Sequence, residues 1–175
     1  DYDELFSNHE IDLLCVATRT PGRDKIIQVG IEHGVKAFHL EKPLCNSMKQ
    51  LSKLESLVTS NNVCLSYGTL RRYLNIYQKA KDIVDSGKFG KLLQVQVNFG
   101  EAALFWTHPH SVDLILFFSG KRKLKTVQSH LSNVVLIRDN IVESDPMIEQ
   151  AMMYFDDGLV GSISKIPGMD VVLAC

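Results

Sequence analysis

Over residues 1–67, short continuous apolar runs alternate with stretches whose apolar residues recur every three or four positions. Asp1 to Asn8, with Leu5 and Phe6 among acids, predicts a short helical turn. Ile11 to Ala17 (IDLLCVA) is an apolar run of strand length, and Thr18 to Gly22 supplies the turn after it. Arg23 to His33 places Ile26, Ile27, Val29 and Ile31 so that some share a helical face, with Gly34 as the C-terminal cap. Val35 to Leu40 has the apolar, partly β-branched character of a strand buried in a parallel sheet. Asn46 or Ser47 then caps a helix in which Met48, Leu51, Leu54, Leu57 and Val58 recur at helical spacing; Asn61 and Asn62 end it, and Val63 to Tyr67 reads as another strand. Strand, helix, strand, helix, strand predicts parallel strands joined by right-handed crossovers.

The remainder changes character. Tyr73 to Asp85 predicts a helix carrying Ile76, Tyr77, Ala80, Ile83 and Val84, with Gly87 near its cap. From Leu93 onward Leu92 to Phe99 alternates apolar and polar residues, the pattern of a strand with one covered face. Ser111 to Phe118 is an apolar helix closed by Gly120. Met147 to Phe155 and Leu159 to Ile166, joined by Asp156, Asp157 and Gly158, read as an antiparallel hairpin.

Composition narrows the function classes. With 19 basic and 20 acidic residues the formal net charge of the 175-residue chain is −1, which offers no electrostatic case for nucleic acid or an anionic membrane surface. Lys121, Arg122, Lys123 and Lys125 form the one basic cluster and read as a solvated loop. Cys15, Cys45, Cys64 and Cys175 show no CxxC spacing, and three of them lie in or beside apolar strands. They read as reduced, small hydrophobes suited to a reducing, cytoplasmic location. No run approaches the about 18 apolar residues of a membrane span, and no signal peptide is visible.

The most informative stretch is VKAFHLEKPLCN, where an apolar run stops at Glu41, Lys42 and Pro43. In an open α/β sheet the carboxyl end of a strand faces the crevice where ligands bind. Pro43 has no amide proton and restricts Lys42 to extended backbone, which directs the lysine side chain; a cis Lys42–Pro43 bond is the associated hypothesis. From spacing alone, Glu41 and Lys42 read first as an ordinary charged loop.

In order and spacing, however, CVATRTPGRDKIIQVGIEHG, the EKP segment, GTLRRY, SGKFGKLLQVQ and HPHSVDL resemble the glucose-fructose oxidoreductase and inositol dehydrogenase family, Gfo/Idh/MocA, over nearly the whole chain. The resemblance implies an α/β fold: residues 1–67 as the second half of a Rossmann-type parallel sheet, and 68–175 as an incomplete α+β domain with a mixed, largely antiparallel sheet that binds substrate and dimerises. It also implies NAD or NADP as cofactor. The glycine-rich turn that opens such a domain is absent, since no GxGxxG occurs and the spacings of Gly30, Gly34, Gly87 and Gly90 are wrong. The expectation is therefore a chain truncated at both ends, whose unpaired edge at Ile11 to Ala17 would promote aggregation.

The same resemblance supplies site residues. Lys42 matches the family's proton-transferring lysine. An ordinary lysine titrates near about 10.4, and burial beside a cationic nicotinamide ring would lower that value toward the working range. His110 matches the partner histidine, followed three residues on by Asp113, a spacing that puts both on one helical face. Thr18, Arg19, Thr20 and Pro21 resemble the turn along the nicotinamide ribose, and Glu41 a contact to the nicotinamide side. Arg72 would steady a hydroxyl-rich or anionic substrate. Many relatives carry an aspartate and a glycine where this chain has Trp106 and His108, so these two join the substrate set, with His108 a substitute acid/base. His108 and His110 lack a third ligand at metal-site spacing, so no metal is expected.

Three functions compete at this stage. The first is an NAD(P)-dependent oxidoreductase acting on a sugar, polyol or sugar-derived hydroxyl, a homo-oligomer through its second sheet. The second is a non-catalytic dinucleotide- or metabolite-binding member of the same fold, for which Trp106 is the best argument. The third is a partner-binding fragment with no ligand site.

Overall fold

The computed structural model describes residues 2–137, 141–142 and 144–169, so Cys175 lies outside the described residues. Contacts divide the chain into two compact units, Asp1–Gly68 with Leu136–Glu143, and Thr69–Val135 with Ser144–Cys175.

In the first unit α1 (Tyr2–Asn8), β1 (Leu13–Val16), α2 (Arg23–Glu32), β2 (Ala37–Leu40), α3 (Met48–Ser60) and β3 (Cys64–Tyr67) follow one another. The strands pair in parallel in the order β1-β2-β3, with Val16, Leu40 and Tyr67 level at their carboxyl ends. Successive strand residues point to opposite faces. Val16, Phe38 and Leu40 thus join Phe6, Ile27, Val35, Leu54 and Val63 in one core under the helices. The opposite face carries Leu13, Cys15, His39, Cys64 and Ser66, with His39 Nδ1 3.1 Å from Ser66 Oγ.

Cys15, Cys45 and Cys64 are free thiols, and the alternation leaves Cys15 and Cys64 exposed, with Cys45 half-buried. Ser47 caps α3 as anticipated, its Oγ accepting the Gln50 amide at 3.2 Å. Met48 does not share the buried face; it opens the helix and is exposed, leaving Leu51 and Leu54 to face inward. A short hairpin of β6 (Leu136–Ile137) and β7 (Ile141–Val142) joins this unit, the Asn46 side-chain amide donating to Val142 O at 3.2 Å.

In the second unit a 3-10 turn (Arg71–Tyr73) precedes α4 (Asn75–Asp85), β4 (Gln94–Phe99), α5 (His108–Ser119), β5 (Leu124–Ser132), β8 (Met147–Phe155) and β9 (Val160–Lys165). The sheet order is β4-β9-β8-β5, with β4 parallel to β9 and the other pairs antiparallel. Val97, Phe99, Ile115, Met153, Phe155, Leu159 and Ile163 form its core. In α4 the inward line is Tyr77, Ala80 and Val84, at i, i+3 and i+7; Ile76 and Ile83 fall outside that stripe and are exposed.

Besides β6 and β7, the strand not anticipated is β5, whose sequence LKTVQSHLS is exposed along its first seven positions and so lacks a one-sided apolar signature. Lys121, Arg122 and Lys123 of the basic cluster stay in the turn before it, as read, and only Lys125 enters the strand; Arg122 pairs with Asp157 at 2.7 Å, and this pairing holds the Asp157 carboxyl down to about 2.

α5 begins earlier than its apolar run because His108 is itself a core residue, 1% exposed. Its ring sits edge-on to Phe99 at 5.1 Å, its Nδ1 is 3.2 Å from Ser111 Oγ, and it bonds to the Ala102 backbone. Burial, aided by Arg71, pulls its pKa below 6.5, opposed by the Ala102 contact and Asp145.

Two expectations follow from this packing. A Cβ at Gly161 in β9 would meet Ile115 Cγ2 inside contact distance, with Met153 Cβ at 3.4 Å. Gly161→Ala is expected to lower stability in urea unfolding by about 1–3 kcal/mol, and an unchanged midpoint would show that α5 yields. Because folding disfavours the protonated His108, its contribution is complete above pH 6.5 and declines as pH falls below that value. Asp157 acts lower, losing its contribution between 3.8 and about 2. Urea midpoints measured from pH 8 to pH 5, conditions chosen to bracket that window, should fall for the native protein and flatten for His108→Gln.

Candidate functional site

Because β1, β2 and β3 are parallel, their carboxyl ends share one rim, the ligand-facing edge of an open α/β sheet. Thr18, Arg19, Thr20 and Pro21 leave β1 there, and Glu41 and Lys42 leave β2. The Glu41 amide donates to Val16 O at 3.0 Å, extending the ladder past the last paired residues. Lys42–Pro43 is cis. The Glu41 side chain folds back, Oε2 accepting the Lys42 amide at 3.0 Å. Thr18 and Arg19 are exposed, and Thr18 Oγ1 donates to Arg19 O at 3.2 Å. Gly22, at φ +86°, makes the left-handed turn from this loop into α2.

Sequence reasoning missed the residue that joins the two loops. Arg23, 3% exposed, donates from Nε to Thr18 O at 3.1 Å, from Nη2 to the same oxygen, and from Nη1 to Glu41 O and Pro43 O. Burial lowers its pKa, with Glu41 and Tyr67 acting in the opposite sense. A cation in the first turn of a helix opposes the macrodipole. That position was the only sign in the sequence that Arg23 serves something other than α2.

The remaining candidates lie in the second unit, around the first turns of α5. Trp106 is 74% exposed, and its amide and that of Phe105 donate to Asp145 Oδ2 at 3.0 Å and Oδ1 at 2.6 Å. His110 is half-buried, its amide donating to Thr107 O at 3.3 Å. His108 points into the core as described. Arg72 forks onto Asp113, Nε to Oδ2 at 2.9 Å and Nη2 to Oδ1, and lies 5.6 Å from the Phe117 ring centroid. That hydrogen bond is the main reason the Arg72 pKa is raised. The Asp113 carboxylate, expected one turn from His110, is thereby taken up by Arg72.

The structure therefore gathers Thr18, Arg19, Thr20, Pro21, Glu41 and Lys42 at one rim, whereas Arg72, Trp106, His108 and His110 belong to the other unit. An apolar groove of about 390 Å³ between α4, α5 and β4, lined by Tyr77, Ala80, Leu92, Val95 and Leu114, contains none of them. Among the described residues no group of three or more His, Cys, Asp or Glu is placed to hold a metal ion, and no helix is long and apolar enough to cross a membrane.

Comparison with known proteins agrees with the parallel sheet of the first unit. Residues 1–69 match the family model described as "Oxidoreductase family, NAD-binding Rossmann fold", GFO_IDH_MocA. The chain is 22% identical over 184 residues to the uncharacterized oxidoreductase YhhX of Escherichia coli (strain K12), covering 97% of this chain and 51% of that protein. It is 24% identical over 175 residues to the scyllo-inositol 2-dehydrogenase (NAD(+)) of Bacillus subtilis (strain 168), covering 91% and 50%. An inositol dehydrogenase homolog from Azotobacter vinelandii, solved with NADH and myo-inositol, shares the fold at a TM-score of 0.75 and 18% identity, over 93% of this chain and 48% of that one. The chain spans about half the length of the curated relatives it matches. The parallel sheet, the rim loops and the family-model match all fall in residues 1–69, so it is this part of the chain that is similar to the NAD-binding Rossmann fold of the Gfo/Idh/MocA oxidoreductases.

Proposed function

We propose that this protein, in its full length, is an NAD(P)-dependent oxidoreductase that moves a hydride between the nicotinamide cofactor and a hydroxyl-bearing carbon of a sugar, polyol or sugar-derived substrate. The observation that carries the reading is the convergence of the TRTPG and EKP loops on one sheet rim, with Lys42 at the end of β2. In this proposal residues 1–67 are the C-terminal half of the nucleotide-binding domain, and 68–175 belong to a substrate-binding domain whose sheet mediates homo-oligomerisation.

The donor set at the rim suits a dinucleotide. Thr18 and Arg19 are exposed there, and Thr20 and Lys42 partly so. Hydroxyls, backbone amides and an ammonium are the groups that ribose and carboxamide oxygens accept from. Thr18, Arg19, Thr20, Pro21 and Glu41 would line the nicotinamide ribose, while the cofactor itself supplies or takes the hydride. What the chain contributes is the proton. Lys42 takes it from the substrate hydroxyl on oxidation and returns it on reduction, with His110 holding the same oxygen. Arg72 and Trp106 shape the substrate side. His108, buried and bonded within its own unit, contributes by holding the turn that carries Trp106 and His110.

A second reading, cofactor or metabolite binding without turnover, is favoured by two observations: the Asp113 carboxylate, one helical turn after His110, is bonded to Arg72, and Trp106 stands exposed. The test uses the full-length protein, a panel of sugars and polyols, and nicotinamide absorbance. Lys42→Ala is expected to lower kcat by about 10²–10⁴-fold while cofactor binding persists. Near-normal turnover in that variant removes Lys42 from the chemistry. Cofactor binding by the unsubstituted protein with no turnover across the panel selects the second reading.

A further inference from the structure

We propose that Arg23 is a positioning residue, which clamps the Thr18 turn to the Glu41–Pro43 turn and so sets the direction of Lys42; what it positions rests on the reading of Lys42 given above, but the clamp itself does not. A guanidinium presents its donors in a rigid plane, unlike an ammonium on a flexible stem. Here one edge of that plane meets Thr18 O through Nε and Nη2, and Nη1 meets Glu41 O and Pro43 O. The oxygens of Glu41 and Pro43 stand on the two sides of Lys42 along the chain, so a single nitrogen restrains the backbone before and after it. Thr18 follows β1 directly, and the Arg23 amide also donates to Thr20 O at 3.4 Å. The clamp therefore ties together the two loops proposed to meet cofactor and substrate. At 3% exposure the guanidinium is shielded from water that could substitute for it.

A lysine at this position can reach the carbonyls singly but cannot span them as a plane. In full-length Arg23→Lys, amide hydrogen exchange is expected to rise within residues 17–22 and 41–46 and to stay at the native level in α3 and in the second unit. In the same variant kcat should drop by about 10- to 100-fold, the cost of a misdirected catalytic group, with the Kd for NADH changed by less than about threefold, since binding and chemistry separate in such variants. In Arg23→Ala, millimolar guanidinium ion should recover part of the lost kcat. Native exchange and native kcat in Arg23→Lys overturn the proposal. So does exchange that rises uniformly over the first unit, which would make Arg23 a general stabiliser. If the unsubstituted protein transfers no hydride at all, the oxidoreductase reading fails by itself, and the exchange pattern alone decides the clamp: confined to the two loops it stands, uniform or unchanged it falls.

Discussion

A buried guanidinium among three backbone carbonyls is the interaction on which the loops at the first unit's sheet rim depend. The register of β1 and β2 runs as far as Val16 and Leu40, one further bond joins the Glu41 amide to Val16 O, and beyond it the chain departs into loops. Buried carbonyls need donors, and a loop that supplies none of its own must borrow them. Arg23 provides donors to both loops at once from the first turn of α2. Burial disfavours the charged form of the group, while Glu41 and Tyr67 favour it, so the cation is retained by its neighbours' polarity.

The second unit solves a comparable problem with different chemistry. The turn before α5 has no side-chain cap at Thr107, and its amides are satisfied by the Asp145 carboxylate, which arrives from nearly forty residues later and just ahead of β8. His108 then anchors the first turn of α5 in the core through Ser111, Ala102 and Phe99. One helical turn further on, Asp113 is fixed to Arg72 of the 3-10 turn. Three polar contacts from three separate segments thus hold the region of Trp106 and His110.

Much of the fold was legible because it follows from local rules. Ser47 and Gly34 bound helices through capping, and the Asp156-Asp157-Gly158 turn between β8 and β9 lies where turn chemistry demands. The cis bond before Pro43 was also anticipated from its setting. What escaped notice was nonlocal. β5 is a polar edge strand whose pairing with β8 depends on backbone bonds rather than an apolar face. β6 and β7, two residues each, are too short to show any period. The exposure of Cys15 and Cys64 was not legible, because an apolar run does not reveal which strand face the helices cover.

The sequence by itself determined the order of elements, the rim location of the TRTPG and EKP loops and the family to which they point, because periodicity, caps and motifs are properties of neighbours along the chain. Tertiary structure alone decided which polar side chains are engaged. It placed Arg23 between two loops, turned His108 inward and gave Asp113 to Arg72. Those outcomes depend on which carbonyls and carboxylates folding brings within hydrogen-bond reach, and residues 5, 20 or 41 positions apart carry no mark of that in their order.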